Sequence, residues 1–203
     1  MIIVLTGIDG SGKSTAARAL VQAVRSRGGK AMLLSNHAGR RTMSILAASL
    51  GVQLPPRAAD AAETLLRVTN VLVSHLRACC FDGVVIMDRH LHCQLALRTT
   101  RGLPRGRFLP WLLSALPRPA AVVHLDLDPA EAHRRITVRG TDSETLADLV
   151  AFRDAYAGLP EFGSFVQADA SLPAAELAQR LLQAVDALPG GPGDSGKGAA
   201  VTN

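Results

Sequence analysis

Aromatic side chains are scarce: one Trp, one Tyr and five Phe stand in 203 residues. A surface that stacks single-stranded nucleic acid needs exposed rings, so that class of function finds no support. The net charge of +5 points to anionic partners, yet no long run of lysine and arginine collects it into a nucleic-acid stripe. The arginines fall in short groups, which suits a small anionic substrate at least as well. Long apolar runs are missing too. The opening MIIVL is five residues long and leads straight into a glycine loop, which predicts neither a signal peptide nor a membrane span. Cysteine is limited to Cys79, Cys80 and Cys93. Their positions give no metal spacing and no even pairing; the adjacent two are expected to fill apolar space in a reduced, cytoplasmic setting. No internal repeat is visible.

What the sequence does have is alternation. Five short apolar runs read as buried strands: Ile2–Thr6, Lys30–Ser35, Val84–Asp88, Ala121–Asp126 and Ser164–Gln167. Between them, Thr15–Ser26, Ala58–Cys80, Pro129–Arg139, Glu144–Ala157 and Pro173–Leu188 carry helical periodicity. Strand–helix alternation predicts an α/β domain over residues 1–188, a three-layer fold with a five-stranded parallel sheet and helices on both faces. From Pro189 onward, PGGPGDSGKGAAVTN is rich in turn formers and poor in apolar residues, so 189–203 is expected to be a disordered tail.

Two stretches have the spacing of a phosphate-binding loop. In the tail, Gly191–Lys197 fits GxxxxGK, but Gly198 stands where a magnesium-binding hydroxyl belongs, and neither strand nor helix flanks it. At the front, Gly7-Ile8-Asp9-Gly10-Ser11-Gly12-Lys13-Ser14, with Thr15 following, lies between an apolar strand and an amphipathic helix. There the glycines let successive N–H groups turn toward phosphate oxygens, and the helix start adds its positive end. Lys13 can reach the β- and γ-phosphates of a nucleoside triphosphate, and the Ser14 hydroxyl can ligate Mg²⁺.

Switches and motors use the same loop, so other residues must decide the chemistry. Val84–Asp88 is followed by Arg89 and His90, and ligands in a parallel sheet sit beyond the carboxyl ends of the strands. Asp88 there can hold magnesium or orient an attacking oxygen; Arg89 can clamp an acceptor phosphate. In HRRITVRGTDSE, Arg134, Arg135 and Arg139 precede a Gly140 break. Arg135 and Arg139 share a helix face, an arrangement suited to a lid, about residues 134–145, that neutralises a transferring phosphoryl group. His90 and His92 lack a third ligand at convincing spacing, and Trp111-Leu112-Leu113 reads as core. His37 with Arg40 and Arg41 could contact an anionic acceptor or cap a surface helix.

Together these stretches resemble the thymidylate kinase family of P-loop nucleoside monophosphate kinases. GIDGSGKST is similar to its P-loop and IMDRH to its Asp-Arg-Tyr/His motif. HLDLDPAEAHRRITVRG resembles its arginine lid helix, and ADASLPAAELAQRLLQAV its closing strand and helix, so the likeness runs from Met1 to about Leu188. The resemblance implies the P-loop NTPase fold of nucleotide-kinase type, with ATP and Mg²⁺ served by Lys13 and Ser14. It implies that Asp9 meets the acceptor's sugar hydroxyl or helps organise the metal. Arg89 and Asp88 would position the acceptor phosphate. The P-loop carries no arginine, so Arg135 or Arg139 would supply the catalytic one. The implied partner is a small-molecule phosphate acceptor, with no nucleic acid and no membrane, and a homodimer is compatible with it.

Three segments depart from the family pattern. Asn36-His37-Ala38-Gly39-Arg40-Arg41-Thr42 stands for Arg-Glu-Pro-Gly-Gly-Thr. Arg67 and Val71 stand where a Phe and an Arg frame the base, and Cys93–Arg98 replaces Ser-Ser-x-Ala-Tyr-Gln. Loss of the stacking ring costs on the order of 1–3 kcal/mol of base binding. The expectation is therefore an acceptor other than standard thymidylate, contacted by Asp9, His37, Arg40, Arg41, Arg67, Arg89 and Arg98. The alternatives are a kinase of a nucleoside or other small hydroxyl compound, and a P-loop nucleotide switch or hydrolase. Arg89, Arg40 and Arg41 favour an acceptor that already carries phosphate, and no guanine-reading Asn-Lys-x-Asp segment is present.

Overall fold

A computed structural model of the chain describes residues 1–36, 55–140 and 144–188. The expected contacts of His37, Arg40 and Arg41, the centre of the lid segment and the 189–203 tail lie outside these residues. The elements run β1 (Ile2–Thr6), α1 (Lys13–Ser26), β2 (Ala31–Ser35), α2 (Pro56–Cys79), β3 (Val84–Asp88), α3 (Leu91–Thr100) and α4 (Phe108–Ala115). They continue with β4 (Ala121–Asp126), α5 (Pro129–Arg139), α6 (Leu146–Ala157), a 3₁₀ turn (Phe162–Ser164), β5 (Val166–Asp169) and α7 (Ala174–Asp186).

All strand pairings are parallel, in the order β2-β3-β1-β4-β5. The central strands need apolar side chains on both faces, which is why they read as continuous runs rather than alternations. Ile3, Leu5, Ile86 and Leu125 join one cluster with α1, α3, α6 and α7, while Val4, Leu34, Val85 and Met87 join another. The order also places β1 between β3 and β4, where the chain changes direction across the sheet. That is where a crevice opens beyond the carboxyl ends.

Several expectations need correction. The last strand begins at Val166 instead of Ser164, because Phe162–Ser164 closes a 3₁₀ turn, with Phe165 N–H donating to the Phe162 carbonyl at 3.0 Å. Helices α3 and α4 went unforeseen. Leu91–Leu97 is buried almost all round, so it shows little polar–apolar period, and α4 has only eight residues. Cys79 and Cys80 do not fill apolar space; both are exposed at the end of α2. Trp111 is 61% exposed rather than core, because Leu112 beside it takes the inward position.

Candidate active site

The loop after β1 curls because its glycines take left-handed backbone. Gly10 has φ 83°, and a Cβ there would stand 2.5 Å from the Ala132 carbonyl oxygen of α5. Gly12 caps α1 at φ 81°, and Lys13 and Ser14 open the helix. The Lys13 ammonium is buried and donates to the Ile8 carbonyl at 2.6 Å, with Asp9 Oδ1 at 3.7 Å. Burial, and then the positive charge of Arg89, pushes its pKa below the ordinary lysine value, while Asp9 and Asp88 pull the other way. Thr15 is exposed and Ser11 is buried.

From β3 the carboxylate of Asp88 meets this loop. Ser14 Oγ donates to Asp88 Oδ2 at 2.5 Å, and Asp88 Oδ1 is buried with no hydrogen-bond partner. An orphaned carboxylate oxygen next to a hydroxyl is the donor set a hard cation takes, so Mg²⁺ fits Ser14 and Asp88. Arg89 follows at φ 76°, the left-handed region, which costs a non-glycine residue about 1–2 kcal/mol. Its N–H donates to the Leu5 carbonyl at 3.1 Å, and its guanidinium donates to Asp9 Oδ1. Burial works against that positive charge, but Asp9, with Cys93, Tyr156 and Asp88, more than offsets it and holds Arg89 protonated. Thus Asp9, Lys13, Ser14, Asp88 and Arg89, all singled out in the sequence, converge on one end of the sheet.

The lid residues stand differently. Asp128 caps α5 by accepting from Ala130 N–H at 2.9 Å and Glu131 N–H at 3.2 Å, behind Pro129 in the first turn. Gly140 ends the helix at φ 64°. Arg134 donates to both oxygens of Glu131 at 2.8 and 2.9 Å. Arg135 donates to Glu131 Oε1 at 2.8 Å and to the Ala170 carbonyl at 3.1 Å. Arg139 is exposed in the last turn. Hydrogen bonds from Arg134 and then Arg135 hold the Glu131 carboxyl down to about 2.

Arg67 and Arg98 stand in a polar seam between α2 and α3. Arg67 is buried and donates through Nε to Gln94 Oε1 at 3.0 Å and through Nη1 to the Asn36 carbonyl at 3.2 Å. Gln94 donates in turn to Asp60 Oδ1 at 3.2 Å and Thr64 Oγ1 at 3.0 Å. Arg98 pairs with Asp60 at 2.5 Å and borders a cavity of about 570 Å³ lined by Asp60, Thr64, Val68 and Phe108 among others. Val71, the other residue at a base-framing position, is fully buried.

Sequence reasoning missed Asn36 as a site residue, and also Ser74, Gln94 and Arg153, which makes a two-pronged pair with Asp126 at 2.9 and 3.0 Å. Asn36 and Gln94 lie in segments that depart from the family pattern, and Ser74 and Arg153 lie in no motif. Their roles depend on which helix packs over which strand end. His75 was missed as well: its Nε2 lies 3.0 Å from that of His90. Among the described residues, no cluster of three or more His, Cys, Asp or Glu is arranged to hold a metal. Nor is any helix among them long and apolar enough to cross a membrane.

A phosphate cradle at the central strand, flanked by a strand ending in Asp-Arg, defines a P-loop nucleotide kinase. The sequence matches the family model for thymidylate kinase over residues 5–181. It is 35% identical over 153 residues to a probable thymidylate kinase of Pyrococcus horikoshii, covering 70% of this chain and 72% of that protein. With a thymidylate kinase of Xanthomonas oryzae pv. oryzae it shares 32% identity over 218 aligned positions, 98% of this chain and 92% of the relative. The chain belongs to the thymidylate kinase family and is an ATP-dependent nucleoside monophosphate kinase, a phosphotransferase. The relatives' names lend no support to the expectation that the acceptor differs from thymidylate.

Proposed function

We propose that this kinase transfers the γ-phosphoryl group of ATP to the 5′-phosphate of a nucleoside monophosphate, thymidylate in the first place. The observation that carries the roles is Arg89: its charge is maintained, its backbone is held left-handed, and it faces Asp9 at the mouth of the phosphate loop. Gly7, Gly10, Ser11, Gly12 and Thr15 form the loop, and Lys13 leaves the Ile8 carbonyl for the β- and γ-phosphates. Arg89 clamps the acceptor phosphate, and Asp9 orients Arg89 or the acceptor sugar. An acceptor phosphate oxygen forms its bond to the γ-phosphorus as the bond to the bridging β-oxygen breaks, giving ADP and the nucleoside diphosphate. Mg²⁺, held by Ser14 and Asp88, would neutralise charge on the transferring group. Residues 134–145 act as the lid that brings an arginine to that charge, within a catalytic domain of 1–188.

A second reading, a monophosphate with another base, is favoured by one observation. Arg67 and Val71, at the base-framing positions, are both buried, which leaves no aromatic face there. Side-by-side kcat/KM values for thymidylate, the other monophosphates and the matching nucleosides separate the readings. Thymidylate ahead of the rest supports the first, and another monophosphate ahead supports the second. Efficient use of a free nucleoside would sink the phosphate clamp in both.

The exposed, adjacent free thiols Cys79 and Cys80 suit a reducing cytoplasm. Leu65, Leu72, Val73 and Leu76 leave an apolar stripe on α2, which suits a homodimer. Light scattering on Leu76→Glu should then report a smaller mass than the parent protein; equal masses would remove the stripe from the assembly.

A further inference from the structure

Asn36 stands immediately after β2, fully buried, and every polar group it owns is engaged. Its N–H donates to the Asp88 carbonyl at 2.9 Å, and its own carbonyl accepts from Arg67 at 3.2 Å. Its side chain reaches across to β3, where Nδ2 donates to the Arg89 carbonyl at 2.8 Å. Ser74 of α2 donates to Oδ1 at 2.7 Å from the other side. The orientation of the amide is fixed by chemistry: a carbonyl can only accept, so the atom facing Arg89 must be the nitrogen. The bond lands on the one described non-glycine residue with a positive φ. A left-handed arginine persists only where its surroundings hold it, and here the peptide is gripped at both ends, by Leu5 on the N–H and Asn36 on the carbonyl.

We propose that Asn36, itself held by Ser74, is a positioning residue that fixes the left-handed backbone of Arg89 and thereby aims its guanidinium at the acceptor phosphate. The proposal rests on the clamp role of Arg89 given above and adds the device that sets it. Aspartate has the shape of asparagine but cannot donate, and it would place a carboxylate against the Arg89 carbonyl. Alanine at position 74 leaves the amide in place but removes its anchor.

The test compares Asn36→Asp, Ser74→Ala, Arg89→Gly and the Asn36→Asp/Arg89→Gly pair, with ATP and the best monophosphate acceptor varied in turn. Asn36→Asp should raise KM for the monophosphate about five- to tenfold, the loss of one buried hydrogen bond. Ser74→Ala should raise it less, and KM for ATP should stay unchanged in both. Glycine at 89 adopts a positive φ freely and has no guanidinium to aim, so adding Asn36→Asp to it should leave the residual acceptor KM unchanged. A wild-type acceptor KM in both Asn36→Asp and Ser74→Ala overturns the inference. So does a rise of equal size with and without Arg89, which marks a merely structural role. If Arg89→Gly itself uses the monophosphate as the parent does, the clamp reading fails instead.

Discussion

Arginines occupy two regions of this molecule under opposite conditions. At the end of β3, Arg89 is mostly buried, strained in its backbone and tied to Asp9, a residue 80 positions away. On α5, Arg134 and Arg135 share a glutamate three or four residues away, with the Arg134 side chain 70% exposed. The first arrangement exists only because the sheet brings β1 beside β3, and it loses solvation and backbone comfort to do so. The second forms on any helix with that spacing and is largely screened by water. Structural expense of the first kind persists where a function demands it. Inexpensive pairs of the second kind can be broken and remade, as a closing lid requires.

The largest effect should come from the sheet end. Lys13→Ala removes a buried cation from the loop that it now bridges, and turnover should fall at least about a hundredfold. Lys197→Ala, in the second GxxxxGK segment, should leave turnover unchanged. Steady-state rates at saturating ATP check both, and equal damage from the two substitutions would erase the distinction between the two glycine segments.

Acid sharpens the contrast at a smaller scale. Burial pushes His92 and His124 down to about 4, His124 lying under Tyr156 and Phe162 and His92 against Phe165. Unfolded, each titrates near 6.5. Between about 6.5 and 4 the unfolded chain therefore binds more protons than the native one, and stability falls as pH falls through that window. Each histidine contributes a slope of up to about 1.4 kcal/mol per pH unit. Glu131 keeps its charge down to about 2, so the α5 pairs stay ionised across this whole window. Urea unfolding from pH 7 to 4 should show the decline, and His124→Leu should make it shallower. A level profile for the parent protein would contradict the burial argument.

The same contrast explains what could be read in the sequence. Strands β1, β3 and β4 were legible because they are covered on both faces, so their composition alone marks them. The phosphate loop was legible because its glycines, lysine and serine are contiguous. Asp88 and Arg89 followed from the rule that ligands sit at strand ends. The left-handed backbone of Arg89 was not legible, because an arginine carries no local signal for positive φ. Nor was the Ser74–Asn36–Arg89 chain, whose members lie on α2, after β2 and after β3 and meet only in the fold. The Arg135–Glu131 pair could have been found from i,i+4 spacing, yet its consequence needed the Ala170 carbonyl on the neighbouring strand end.

That consequence gives the smallest expected effect. Both Arg135 and Arg139 were candidates for the lid's catalytic arginine. Arg135 is held at two points, by Glu131 within its helix and by Ala170 outside it, and a side chain so held must give up both contacts before it reaches a phosphoryl group. Arg139 sits one turn further along, in the last helical turn before Gly140. From that position at the end of the helix, Arg139→Ala should lower kcat about tenfold or more with little change in KM for ATP, as expected of a group acting mainly in the transition state. Arg135→Ala should change kcat by less than about threefold, the scale of a half-buried surface pair. Glu131→Gln serves as the control. If Arg135 is a bystander, loosening its partner leaves kcat where it was. If instead Arg135→Ala proves the more damaging and Glu131→Gln raises kcat, the glutamate is a latch and α5 must release Arg135 on closing.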